Sequence, residues 1–157
     1  MSWRFVAVAS EAAVRAGEIQ REHYGQDVKI EKKGEIDLVT EVDHACEAAI
    51  LEILRARFPE HDIMTEEADI ERTGSRYVWI IDPLDGTTNF AHSYPMFSAS
   101  VALTVDGESV AGAVFDPLRD ELFTAEKGGG AHLNGKRLQV TGEDRLIQSL
   151  VILSLIH

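Results

Sequence analysis

A single cysteine, Cys46, is present in 157 residues, so neither an intrachain disulfide framework nor an all-cysteine zinc site can form, and a reducing cytoplasm is the expected setting. Basic residues are scarce as well. Lys and Arg number 15 against 27 Asp and Glu, for a formal charge of -12. A field of that sign repels polyphosphate backbones and anionic lipid, which excludes bulk nucleic-acid and membrane-surface binding from the expectations. Long apolar runs are lacking at the start: Phe5 to Ala9 is interrupted by Glu11 and Arg15 before it reaches the length of a signal core or a membrane span. Internal repeats, low-complexity tracts and Pro/Gly/Ser linkers are also missing, so one compact unit is expected. With 45% hydrophobic and 27% charged residues, the chain has the composition of one globular domain or part of a larger one.

Apolar residues at Phe5, Val8, Ala9, Ala12, Ala16 and Ile19 recur at the three-and-four spacing of one helical face, predicting a first amphipathic helix from Trp3 to about Tyr24. A second opens at Thr40, with Val42, Cys46, Ala49, Ile50, Ile53 and Leu54 on one side, and Pro59 closes it. Short β-like runs follow at 62–64, 77–81, 97–105, 110–115 and 121–125. Asp106-Gly107 and Asn134-Gly135 stand where tight hairpin turns are needed. Two helices followed by hairpin-linked strands predict an α+β layer structure with a largely antiparallel sheet. The last run, Leu150 to Ile156, stops at His157 without a polar cap, as if an element were cut short.

The richest segment is Trp79-Ile80-Ile81-Asp82-Pro83-Leu84-Asp85-Gly86-Thr87-Thr88-Asn89. An apolar strand delivers Asp82 to its end, Pro83 restricts the backbone, and Asp85 follows three residues later, so both carboxylates can turn toward one point. Paired carboxylates suit a hard cation such as magnesium, and the Leu84 carbonyl between them can add a backbone ligand. Gly86 and Thr87 then offer unhindered amides and a hydroxyl at a helix start, a favourable place for a phosphate oxygen. A lone Asp-Pro or Asp-Gly is an ordinary turn, but this density of oxygen ligands exceeds what a turn requires.

Two further acidic features compete with bland explanations. Glu66-Glu67 after the short strand reads alone as solvated surface, yet beside a carboxylate pair Glu66 becomes a third ligand candidate. Thr40 with Asp43 three residues on has the form of a capping box. From that fixed position Asp43, paired with the Thr87 hydroxyl, can also orient and deprotonate a water. The histidines, His23, His44, His61, His92, His132 and His157, have no zinc-hydrolase spacing and read as surface or supporting residues, with His92 expected nearest the site. The run Gly128-Gly129-Gly130 lacks the Lys-Ser/Thr of a phosphate-binding loop and reads as a turn.

The stretches GEIDLVTEVD (34–43), IMTEEA (63–68) and WIIDPLDGTTNFAHSYP (79–95) resemble the inositol monophosphatase family of magnesium-dependent, lithium-sensitive sugar-phosphate phosphatases, and 110–140 is similar to the family's next strands and glycine-rich hairpin. The resemblance implies that Glu66 is the first metal carboxylate, that Asp82 bridges two magnesium ions, that Asp85 belongs to the second ion and the Leu84 carbonyl to the first. It implies that Thr87 and Asp43 activate the attacking water, that the Gly86 and Thr87 amides hold phosphate, and that Glu66, Leu84, Asp85, Gly86 and Thr87 border the substrate. The implied reaction is direct in-line attack of a metal-activated water on a phosphate monoester, without a phosphoenzyme.

Members of the family are longer, and their C-terminal half supplies a further metal aspartate in a Trp-Asp motif. Here Trp3 and Trp79 are the only tryptophans, and neither precedes Asp. The expectation is therefore a truncated or frame-shifted N-terminal domain over 1–157, with the C-terminal half absent. Inositol-1-phosphate is the favoured substrate because of the HSYP stretch, with fructose bisphosphate, histidinol phosphate and 3'-phosphoadenosine nucleotides as alternatives. The resemblance allows a homodimer. A haloacid-dehalogenase-type phosphatase would need an Asp-x-Asp-x-Thr register, which Asp82, Asp85 and Thr87 do not have. A non-catalytic metal- or protein-binding domain is the rival from another class.

Overall fold

The computed structural model describes residues 3–26, 30–32, 38–65 and 73–148. Helix α1 (Trp3–His23) follows the expected apolar stripe: Val8, Ala9, Ala12, Ala13, Ala16 and Ile19 are all buried. Arg21 and His23 fall in its last turn, where positive charge suits the helix dipole. Strands β1 (Ile30–Lys32) and β2 (Leu38–Thr40) form a small antiparallel pair that leads into α2 (Glu41–Arg57). Thr40 caps α2 and the box with Asp43 is complete, while the chain leaves the helix at Phe58, one residue before Pro59.

The remaining strands are β3 (Asp62–Thr65), β4 (Tyr77–Asp85), β5 (Ser98–Val105), β6 (Glu108–Asp116), β7 (Glu121–Glu126), β8 (Gly130–Leu133) and β9 (Lys136–Arg137), with a short helix α3 (Thr87–Ala91) between β4 and β5. They form one seven-stranded sheet in sequence order, parallel only between β3 and β4. This is the expected α+β architecture. Both predicted hairpins turn through two residues of positive φ, Asp106 (52°) with Gly107 (81°) and Asn134 (47°) with Gly135 (77°), the conformation that matches strand twist. The glycine run is a turn, with Gly130 entering β8.

Helix α1 lies across β5, β6 and β7, and α2 lies on β4 and against α1. The buried sheet face alternates as a strand must: Trp79 and Ile81, then Ala99, Val101 and Leu103, then Ala111, Ala113 and Phe115. Helix and sheet approach so closely that a Cβ on Gly17 would stand 2.3 Å from the Phe115 ring. On the other face Ile80, Val114 and Phe123 are each more than a third exposed.

One end of this layer is closed by an aromatic stack. The His61 ring lies between Tyr77 (centroids 4.5 Å apart) and Phe58 (4.7 Å), nearly parallel to both, and Phe5 packs beside them. Trp79 Nε1 donates to His61 Nδ1 at 3.1 Å, which fixes the proton of the neutral ring on Nε2. Burial lowers the His61 pKa from its ordinary value. His61 is thus a packed residue of the helix–sheet junction. Motif residues 34–37, Glu66 with 67 and 68, and the apolar run with His157 lie outside the described residues. Among the described residues no helix is long and apolar enough to cross a membrane.

Candidate active site

The acidic motif does not end its strand, as the sequence suggested; β4 continues through Asp85. Asp82 pairs with Ser100 and Asp85 with Ser98, so three steps on β4 match two on β5 and one extra residue is accommodated as a bulge. The consequence is one of parity. In a regular strand, residues three apart point to opposite faces, and Asp85 would share the buried face of Trp79 and Ile81. Pro83 and Leu84 absorb the extra step, both buried, and Asp85 emerges exposed, on the same side as Asp82. Proline is tolerated there because a bulge releases it from donating to the ladder. The two carboxylates therefore project from the sheet face opposite α1 and α2.

Directly after Asp85 the chain turns through Gly86 at φ 92°, where a Cβ would stand 3.0 Å from the Met96 carbonyl oxygen and 3.4 Å from Phe97 Cα. Only glycine meets both demands. Thr87 then opens α3, and its Oγ1 lies 2.9 Å from Asp43 Oδ1 and 3.0 Å from the Leu84 carbonyl oxygen. Asp43 is 1% exposed and divides its oxygens: Oδ2 accepts from the Thr40 amide (2.8 Å) and hydroxyl (2.5 Å), while Oδ1 faces Thr87. Capping and the Thr87 contact, read from sequence as competing roles, coexist on one side chain. They meet because β2, at the root of α2, packs against α3.

With one proton, the Thr87 hydroxyl donates to Asp43 or to Leu84, and toward the carboxylate it leaves its lone pairs free for a water. The first amides of α3 lack intrahelical acceptors, as at any helix start. Beside Asp85 and Gly86 opens a cavity of about 530 Å³ whose rim includes Asn89, Ser98, Asp116 and Arg119. Asn89 Nδ2 donates to the Met96 carbonyl at 2.8 Å and holds the loop that follows α3.

Asp82, Asp85 and the Leu84 carbonyl are all hard oxygen donors, which fits a cation of the magnesium type and not one that prefers sulfur or imidazole. Glu66, the expected further carboxylate, lies outside the described residues. Among the described residues no three His, Cys, Asp or Glu side chains gather as a metal cluster. His92 is exposed and bonds the Thr88 carbonyl at the end of α3, while His23 bonds Ile19 in α1. Burial, then the Asp43 charge, pushes the Cys46 thiol up to about 12, too high for a nucleophile. Gln20 escaped the sequence reading, although it falls four residues after Ala16 on the apolar stripe of α1; a polar residue at a core position was the available signal.

Residues 3–157 match the sequence model of the inositol monophosphatase family. Inositol monophosphatase 2 of Solanum lycopersicum is 47% identical over 152 residues, which are 94% of this chain and 57% of that protein. A fructose-1,6-bisphosphatase/inositol-1-monophosphatase of Aquifex aeolicus is 40% identical over 151 residues, 95% of this chain and 57% of that protein. Among solved structures, the extragenic suppressor protein suhB of Bartonella henselae superposes with a TM-score of 0.87 at 38% identity, over 91% of this chain and 57% of that one. The chain thus spans a little over half the length of these relatives.

Proposed function

The chain belongs to the inositol monophosphatase family, and on that premise we propose that it carries the N-terminal domain of a magnesium-dependent phosphate monoester hydrolase acting on inositol-1-phosphate or a related small sugar or alcohol phosphate. The observation that carries the proposal is the 2.9 Å contact between Thr87 Oγ1 and Asp43 Oδ1, beside two carboxylates brought to one face by a bulge.

In this reading Thr87 donates its proton to Asp43 and accepts a hydrogen bond from the attacking water, which it aligns with the phosphorus. As the oxygen–phosphorus bond forms and the ester oxygen–phosphorus bond breaks, the water's proton passes through Thr87 to Asp43. The alkoxide leaves on the opposite side and takes a proton from solvent water, and Asp43 returns its proton to solvent. The Gly86 and Thr87 amides receive a phosphoryl oxygen. Asp82, Asp85, the Leu84 carbonyl and Glu66 hold magnesium, which when bound supplies Lewis-acid stabilisation of phosphoryl charge and eases deprotonation of water. The cavity beside Asp85 has the size of a small-ligand site; its walls include Asp85 and Gly86 but not Asp82, Thr87 or Asp43. Inositol-1-phosphate is favoured by the HSYP stretch at 92–95. Fructose bisphosphate is the next candidate, since the Aquifex aeolicus relative is named for both activities. The proposal includes a cytoplasmic location, consistent with a lone buried cysteine, and a homodimer.

Phosphate release from inositol-1-phosphate by the 157-residue chain, with and without magnesium and with lithium added, tests the proposal. Magnesium-dependent, lithium-suppressed release is the expected result. Magnesium binding by the folded chain without release would instead make it a non-catalytic metal-binding domain.

A further inference from the structure

Gln20 is fully buried near the end of α1, on a stripe otherwise built from Val8, Ala9, Ala12, Ala13, Ala16 and Ile19. Its Nε2 donates to the Pro83 carbonyl at 2.8 Å and to the Ser98 carbonyl at 3.2 Å, so both amide protons are committed. Its Oε1 is buried and has no hydrogen-bond partner among the described residues. Leucine or methionine would fill the space without the unpaired Oε1, but would deprive the Pro83 and Ser98 carbonyls of these donors. What glutamine adds at this position is the pair of donors.

Those donors reach the bulge from behind. Pro83 lies between Asp82 and Asp85, and Ser98 is the cross-strand partner of Asp85. The proline ring fixes φ of Pro83, and the peptide to Leu84 is planar. At Pro83 itself one soft torsion, ψ, is left, and the direction of the Pro83 carbonyl reports it; with φ and ψ of Leu84 it sets how Asp85 continues from Asp82. Holding this carbonyl and that of Ser98 from a single nitrogen fixes the bulge against β5.

The geometry points to Gln20 as a positioning residue that sets the directions of the Asp82 and Asp85 carboxylates and the Leu84 carbonyl toward the cation site. This assignment rests on the metal-binding reading given above. Gln20→Met keeps the volume and loses both donors. In a titration of the folded chain with Mn2+, counting free ion by electron paramagnetic resonance, the variant should bind about ten- to hundred-fold more weakly than the wild type, with an unchanged circular dichroism spectrum. A residue that only stabilises the fold would lower the melting temperature and leave Mn2+ affinity alone. Equal affinity in a folded variant overturns the Gln20 assignment while the metal site stands; no Mn2+ binding by the wild-type chain overturns the metal site and the assignment with it. Should Gln20→Met not fold, the wild-type chain decides. Saturating Mg2+ should shift the side-chain amide resonances of Gln20 but not those of Gln26, which bonds Glu22 on the exposed end of α1, and an unmoved Gln20 signal overturns the assignment.

Discussion

Asp43→Asn separates two duties that the carboxylate performs with different oxygens. An amide can present its one oxygen to Thr40 or to Thr87, but not to both. The Thr40 side makes two donations, from its amide and its hydroxyl, against one from Thr87, so the asparagine oxygen should turn to Thr40 and its NH2 group to Thr87. The cap survives in neutral form. Lost are the favourable charge at the helix N-terminus and the charge-assisted part of the Thr40 bonds, together about 1–2 kcal/mol, or roughly 2–8 °C in melting temperature for a chain of this size. Thr87, facing an NH2 group, must donate to the Leu84 carbonyl 3.0 Å away and can no longer pass a proton to a base. Turnover should fall by about 10²–10⁴. Asp43→Ala removes both duties and should lose clearly more stability than the asparagine variant. Thermal melts followed by circular dichroism and phosphate release at 25 °C read the two effects. Equal stability losses in Asn and Ala, or asparagine turnover within a few-fold of wild type in an active form of the chain, would refute the division of labour.

Gly86→Ala combines a left-handed backbone with a 3.0 Å approach to the Met96 carbonyl; a loss of about 2–3 kcal/mol is expected from urea denaturation, and a neutral result would mean that the turn relaxes freely. Asp82→Asn removes one charge of the carboxylate pair while keeping its shape, and should abolish magnesium-dependent turnover; near-normal turnover would sink its role as a bridging ligand. His61 has a lowered pKa, so the unfolded chain takes up the proton first and stability, intact above the ordinary value of 6.5, declines as pH falls below it. One such proton contributes a slope of at most about 1.4 kcal/mol per pH unit, and His61→Phe should flatten the decline between pH 6.5 and 5; an unchanged slope in the variant would count against it.

Local patterns carried much of the fold. The stripe of α1, the Thr40–Asp43 box and the two turns of positive φ are all written within a few neighbouring residues, and each lies where its spacing demands. Features requiring a distant partner were not legible. The parallel pairing of β3 with β4 depends on register across a long connection. The stack around His61 needs Tyr77 and Trp79, which no spacing rule joins to Phe58.

The acidic motif shows why its chemistry is a tertiary property. A spacing of three between Asp82 and Asp85 is wrong for a shared face on a regular strand and becomes right only through one extra residue. That residue is visible in the pairing with Ser98 and Ser100, eighteen to thirteen positions further along the chain. The same bulge leaves Leu84 buried with its carbonyl against Thr87, and Thr87 in turn depends on Gly86 for its direction and on α2 for its partner. Chain segments from α1, the start of α2, β4, α3 and β5 must therefore all be in place before Asp82 and Asp85 share a face and the Thr87 hydroxyl meets Asp43 and the Leu84 carbonyl. A short peptide bearing DPLDGTTN should accordingly lack the cation affinity proposed for the folded chain, because the motif names the oxygen donors while the surrounding layers set their directions.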